Sequence, residues 1–94
     1  MGGEQGEGVR VSFGDGGDGR AVGLDGTVLT AVGPTPYPPG RPLELSLALA
    51  ETTAAVRGKT IGSKRRDDDL YDVRIRLVNL RREHREALES ALAG

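Results

Sequence analysis

Basic side chains are the residues of this sequence best suited to binding chemistry, and they are concentrated in its second half. Between Ala54 and Arg82 the chain has nine basic and four acidic residues, a formal excess of five positive charges. The whole chain has a net charge of −1, so the other residues together carry −6. A local concentration of arginine and lysine can bind an acidic protein surface or an anion such as phosphate.

Alternation along two predicted strands places several of these cations on one outward surface. Tyr71–Val78 has an inward apolar face, and Lys64–Asp69 is predicted to be the hairpin turn that joins it to a strand over Ala54–Ser63. Outward cations of the two strands then become cross-strand neighbours, which costs stability and suggests a use. An ordinary solvated sheet face is the alternative interpretation. The candidate partner-binding residues are Arg57, Lys59, Arg74, Arg76, Arg81 and Arg82.

The other motifs predict no catalytic, metal or cofactor site. Gly14, Gly16 and Gly19 fit the pattern GxGxxG, but a strand is predicted where a dinucleotide-binding helix should begin. The aspartates of this loop and of Asp67–Asp69 are too few for calcium, which needs six or more ligands. His84 is the one histidine and there is no cysteine. No serine has a recognisable nucleophile context, so we do not expect an enzyme.

Length and composition predict one small cytoplasmic domain. The chain has 94 residues, no apolar run as long as a membrane span, and no signal-like N-terminus. Only 3% of residues are aromatic, which argues together with the net charge against nucleic-acid binding. We expect residues 1–8 to be a disordered tail and residues 9–94 to form the domain.

The pattern of apolar residues in the N-terminal half predicts β-strands. Val9–Phe13 alternates as a strand, and Arg20–Val32 is a second β stretch, with Val22, Leu24, Val28 and Val32 on one face. Asp25-Gly26 interrupts this stretch as either a tight turn or a bulge. We favour the bulge, because a small barrel must bend its long strands.

Leu43–Leu49 has the clearest strand pattern, and the five prolines of Gly33–Pro42 predict an ordered extended loop before it. Near the C-terminus the period changes to that of a helix capped by Asn79. The fold class is therefore mainly β, a small six-stranded antiparallel barrel with one C-terminal α-helix. The residues on the apolar face of the helix are Leu80, His84, Ala87, Leu88, Ala91 and Leu92.

Taken together, these segments resemble the PilZ domain family. The matching stretches are GTV at 26–28, PGRPLEL at 39–45, VRGK at 56–59 and YDVRIRLVNL at 71–80, and the likeness covers residues 9–93. The resemblance implies a six-stranded barrel of the bacterial cyclic di-GMP signalling family. Members usually bind cyclic di-GMP through an RxxxR arm before the first strand and a D/N-x-S-x-x-G motif after the second.

Both nucleotide-binding motifs are missing here. Residues 1–8 contain no basic residue, and Thr30, Val32 and Thr35 occupy the Asp/Asn, Ser and Gly places of the second motif. Some PilZ-like proteins without these motifs act by contacting other proteins, as in type IV pilus assembly and motility. We therefore expect a degenerate regulatory member that binds another protein. The alternative is a cyclic di-GMP receptor that uses Arg10, Arg20 and Arg57.

Overall fold

The computed structural model describes residues 9–14, 17–49 and 52–93, and the predicted tail at residues 1–8 lies outside them. The described residues form six antiparallel strands followed by one helix, which confirms the predicted fold class. The elements are β1 (Val9–Phe13), β2 (Asp18–Asp25), β3 (Val28–Gly33), β4 (Pro42–Ala48), β5 (Thr53–Arg65), β6 (Tyr71–Leu77) and α1 (Arg82–Ala93).

The sheet closes into a barrel with the strand order β1-β2-β3-β6-β5-β4. The last pairing, of β4 with β1, sets Leu47 opposite Val11 and Leu45 opposite Phe13. A long loop between β3 and β4 lets β6 pair with β3 on one side and with β5 on the other. Every strand therefore has two neighbours, and the barrel has no free sheet edge along its paired length.

The predicted bulge at Asp25-Gly26 is wrong, because the chain makes a tight hairpin turn there. Asp25 pairs with Val28, and Gly26 has a φ of +64°. This left-handed conformation suits glycine, because it has no Cβ to clash with the backbone. The prediction failed because an Asp-Gly pair suits both a turn and a bulge.

The turn changes which side chains of β2 and β3 face the core. Leu24 now lies opposite Leu29, so both face inward, whereas Val28 lies in the outward row with Asp25. Val22, which lies at a bulge between Ala21 and Gly23, also points outward and is 44% exposed. The prediction that Val22, Leu24, Val28 and Val32 share one face is therefore wrong: Leu24 packs against the core and Val32 is buried, whereas Val22 and Val28 lie outward.

The barrel interior is filled by the alternate residues of the strands. Leu43, Leu45, Leu47 and Leu49 are all buried, as the alternation of that segment predicts. Val73 and Ile75 of β6, one strand further around the barrel beyond β5, are completely buried. Burial of aliphatic side chains at about 25 cal/mol per Å² is the main favourable contribution to the stability of such a domain.

The helix covers the end of the barrel where the β2–β3 turn lies. Leu88 is fully buried, and Leu80, Ala87, Ala91 and Leu92 pack against the core, which confirms the apolar face. Asn79 does not cap the helix, however. Its side-chain oxygen accepts a hydrogen bond from the backbone N–H of Arg57 at 2.7 Å, and α1 begins three residues later. Arg85 fastens the helix by donating a 2.7 Å hydrogen bond to the carbonyl of Gly26.

The proline-rich loop covers the other end of the barrel, as an ordered segment. Tyr37 is 3% exposed and packs against Phe13, with 5.7 Å between ring centroids. Two hydroxyl groups of β5 bind the loop backbone: Ser63 bonds both the N–H and the carbonyl of Tyr37, and buried Thr60 bonds the N–H of Arg41 and the carbonyl of Pro38. The loop is thus held by β5 along its length.

We expect Thr60→Val to lower the free energy of unfolding by about 1–3 kcal/mol. The substitution keeps the shape of the side chain but leaves the Arg41 N–H and the Pro38 carbonyl without this partner near the core. Thr53→Val, at an exposed position of the same strand, is the matched control. Urea unfolding followed by circular dichroism measures the difference, and equal midpoints for the two variants would show that these hydrogen bonds do not stabilise the loop.

Candidate functional site

Four cations predicted from the sequence lie on one outer surface of β5 and β6. Lys59 lies directly opposite Arg76, and Arg74 lies opposite Gly62. Arg57 follows in the same outward set, since the N–H of Val78 donates a 2.9 Å hydrogen bond to its carbonyl. All four side chains are exposed. We refer to Arg57, Lys59, Arg74 and Arg76 as the basic face.

The acidic residues closest in sequence to the basic face are bound by other arginines. At the β5–β6 turn, Arg65 pairs with Asp69 at 2.8 Å, and Arg66 pairs with Asp68 at 3.2 Å and with Asp72 at 3.0 Å. Desolvation raises the pKa of Asp68, but the N–H of Leu70 and the Arg66 guanidinium outweigh it and lower the pKa below its usual value. These three carboxylates are therefore held in ion pairs with Arg65 and Arg66 at neutral pH.

Among the described residues, no carboxylate forms an ion pair with any member of the basic face. Glu44 pairs with Arg57 in the β4–β5 register and is the acidic neighbour of the face across the strands. On the β6 side, Arg74 and Arg76 lie beside Thr30 and Val28, which are uncharged. Cationic side chains therefore line the face from the level of Arg74 to the level of Arg57.

Arg81 and Arg82 are not part of the outer surface formed by β5 and β6. Both are exposed, but they follow the end of β6 at the helix end of the barrel, and Arg82 is the first residue of α1. Because α1 packs towards β1 and β2, its first turn leads away from the basic face. The structure thus brings four of the six predicted partner-binding residues together.

Shallow depressions border the basic face, and two of them are lined by an exposed valine. The first, of about 570 Å³, is called the Val22 depression; it lies towards the loop end and has Arg74 at its margin. The second, of about 440 Å³, is called the Val78 depression and has Arg57 and Lys59 at its margin. Other residues of the first are Thr30, Ile61, Gly62, Ser63, Lys64 and Asp72, and those of the second are Pro42, Leu43, Glu44 and Gly58.

Two β-bulges explain the shape of the Val22 depression. One bulge lies between Ala21 and Gly23 on β2, and the other lies between Thr60 and Gly62 on β5. Both flank the same cross-strand pair, Thr30 and Arg74, so that a glycine stands on each side of it. Neither glycine has an atom within 4 Å of where a Cβ would lie, and the surface is open at both places.

The alternative nucleotide-binding set is only partly assembled. Arg10 and Arg20 are exposed and lie directly opposite each other on β1 and β2. Arg57 is elsewhere: the pairings of β1 with β4 and of β4 with β5 place Thr53 at the level of Arg10. Arg57 is four residues further along β5, about 13 Å along the strand direction.

Several structurally important residues were missed by the sequence reasoning. The sequence predicts an ordered loop over Gly33–Pro42 but not the burial of Tyr37 within it, and an aromatic residue among prolines was the available signal. The bulge on β5 was also not predicted, although Gly62 within a strand pattern is a signal for one. Asp15 and Gly16, of the GxGxxG and calcium hypotheses, lie outside the described residues.

The described residues contain neither a cluster of three metal-binding side chains nor a helix that could span a membrane. No group of three or more histidine, cysteine, aspartate or glutamate side chains comes together in this part of the chain. No helix in it is long and apolar enough to cross a membrane. In comparisons with family models, curated proteins and solved structures, the chain has no match.

Two glycines of β5 should respond very differently to the same substitution. A Cβ at Gly58 would lie 2.6 Å from the carbonyl oxygen of Arg76, so Gly58→Ala must push β5 and β6 apart. We expect Gly58→Ala to lower the free energy of unfolding by about 1–3 kcal/mol, as overpacking does. Gly62→Ala points into open space and should leave stability within about 0.5 kcal/mol of the parent. Urea unfolding tests both; equal destabilisation by the two changes would contradict this account of the strand spacing.

Proposed function

We propose that this protein is a regulatory domain of the PilZ type that binds an acidic surface of another protein through the basic face. The barrel with its C-terminal helix is the architecture that the resemblance implies. We do not propose cyclic di-GMP binding through the usual motifs, because the required arginines and small polar residues are missing at those positions.

The observation that carries the proposal is the direct pairing of Lys59 with Arg76 on an exposed sheet surface. Like charges directly opposite each other destabilise a sheet. In the described part of the chain no acidic side chain forms an ion pair with either residue, while Arg65 and Arg66 of the same hairpin are paired with aspartates. An arrangement that costs folding stability and has no internal compensation is well explained by binding to an acidic partner.

The basic face also differs from a site for a small anion. Arg74 and Arg76 are two residues apart on one strand, which separates their Cα atoms by about 7 Å, and Arg57 lies further along β5. A single phosphate is too small to contact the whole set. An acidic protein surface can contact all four cations and would associate faster at low ionic strength.

We expect the double variant Arg74→Glu, Arg76→Glu to stay folded and to lose partner binding. Both side chains are exposed, and a glutamate opposite Lys59 replaces a repulsive pair by an attractive one. Captured proteins from a lysate of the native cell should be identified by mass spectrometry at low salt. The matched control is Arg10→Glu, Arg20→Glu, which makes the same change of net charge on β1 and β2. Capture that survives the first variant as well as the second would exclude the basic face.

A second candidate function rests on Arg10 and Arg20. Their direct pairing is another crowding of exposed cations, with no ion pair to either side chain among the described residues. Two arginines side by side can bind phosphate oxygens or the O6/N7 edge of guanine. This pair could therefore be part of a cyclic di-GMP site that uses different residues from the family motifs.

We expect titration with cyclic di-GMP to leave the amide NMR spectrum unchanged up to millimolar nucleotide. Calorimetry under the same conditions should show no heat of binding. If saturable shifts appear at micromolar nucleotide around Arg10 and Arg20, and disappear in Arg10→Glu, Arg20→Glu, the protein is a nucleotide receptor and the leading proposal is wrong.

A further inference from the structure

The two large apolar side chains that are exposed in the described part of the chain lie at the two depressions beside the basic face. Val22 is 44% exposed and lines the Val22 depression, and Val78 is 66% exposed and lines the Val78 depression. Exposed aliphatic side chains are common on protein surfaces when they are scattered. Here both of them border the same set of cations, and this indicates a combined apolar and charged binding surface.

The Val22 depression has room for a side chain because of its glycines. Gly23 and Gly62 flank Thr30 and Arg74 without covering them, and the bulge carries Ile61 to the margin, where it is half-buried. Apolar walls are thus available beside the guanidinium of Arg74. An aliphatic side chain from a partner can be buried there while its neighbours meet the cations.

The spacing of the site matches an extended peptide. Gly62 of the first depression and Gly58 of the second lie opposite Arg74 and Leu77 of β6, which are three residues or about 10 Å apart along the strand. Lys59 and its partner Arg76 lie between these levels, and the first depression extends across to β2 and the second to β4, which lengthens the path between them. In an extended chain, residues i, i+2 and i+4 face the same side at intervals of about 7 Å. An apolar residue, an acidic residue and a second apolar residue at these positions would meet the depression, the cations and the other depression in turn.

The charges around the site favour an acidic partner. Asp72 lines the first depression but is paired with Arg66 at 3.0 Å. Glu44 lines the second depression and is opposite Arg57. The five cations of the site are Arg57, Lys59, Lys64, Arg74 and Arg76, so they outnumber these two carboxylates.

We propose that the basic face and its two depressions bind an extended acidic segment of a partner protein with the pattern apolar–x–acidic–x–apolar. The proposal rests on the proposed function and specifies the chemistry of the partner. The two aliphatic side chains occupy the Val22 and Val78 depressions, and the acidic side chain binds Lys59 and Arg76. A partner that offered charge alone would leave both depressions empty.

The test uses two labelled peptides and the full chain. The first is Glu-Leu-Ser-Glu-Ser-Leu-Glu, and in the second both leucines are replaced by serine. We expect the leucine peptide to bind at least about tenfold more tightly in fluorescence anisotropy at low salt, since burial of one leucine is enough for such a factor. Equal affinity of the two peptides would overturn the proposed pattern.

Substitutions at the two depressions locate the effect. Gly62→Val fills the first depression without meeting neighbouring atoms at its Cβ, and should remove most of the advantage of the leucine peptide. Val78→Ser removes the apolar wall of the second depression and should have a smaller effect in the same direction. Ala55→Val, on the outer surface of the same strand, is the control and should bind both peptides as the parent does. If Gly62→Val also keeps the full advantage, the leucine does not lie in the Val22 depression and the proposal is wrong.

The serine peptide separates this proposal from the proposed function. Its binding should be weak, should be lost in Arg74→Glu, Arg76→Glu, and should remain unchanged in the control Ala55→Val. If it behaves so and leucine adds nothing, charge recognition by the basic face stands and the apolar pattern fails. Absence of binding of either peptide at millimolar concentration would contradict both.

Discussion

The barrel closes through the pairing of β4 with β1, and the rest of the molecule depends on this closure. Six short strands around one narrow core require sharp local changes of direction and close approaches between strands. Gly58 provides a close approach, because its missing side chain leaves room for the backbone of Arg76. The bulges at Ala21/Gly23 and Thr60/Gly62 provide changes of direction. The same bulges shape the Val22 depression, so a requirement of the fold also produces the larger of the two depressions of the candidate site.

The sequence was sufficient to predict the fold where the pattern of burial is local. The leucines of β4 and the apolar residues of β6 alternate strictly, and the stripe around Leu88 has helical spacing, so these elements were predicted correctly. Prediction failed where the local conformation depends on a residue or strand that is distant in the sequence. Asn79 has a side chain suited to an N-cap, but its oxygen instead accepts a hydrogen bond from the backbone N–H of Arg57, 22 residues earlier. The turn at Gly26 could not be distinguished from a bulge without knowing that β3 pairs with both β2 and β6.

In the candidate site, too, local alternation predicts some features, and contacts between distant residues determine the others. The alternation of inward and outward residues was enough to predict that one side of the hairpin exposes Arg57, Lys59, Arg74 and Arg76. Their electrostatic state depends on neighbours that sequence spacing does not reveal. Arg65 and Arg66 are equally basic by sequence, yet the β5–β6 turn brings aspartates to them, and they contribute little free positive charge. The apolar margins of the site also depend on the bulges, since the bulge on β2 lets Val22 and Gly23 both lie outward between inward-facing Ala21 and Leu24.

The proline-rich loop has a further consequence for self-association. Strand β5 continues for six residues beyond Lys59, where β4 begins at Pro42, and it would otherwise present unpaired backbone groups there. The loop lies along this part of β5: Thr60 exchanges backbone hydrogen bonds with Gly40 and Arg41, and the Ser63 hydroxyl binds Tyr37. Prolines in the loop lack the N–H needed to extend the sheet further. The loop thus covers this part of β5 against intermolecular β-pairing, and its loss would expose a strand edge that can serve as a template for aggregation.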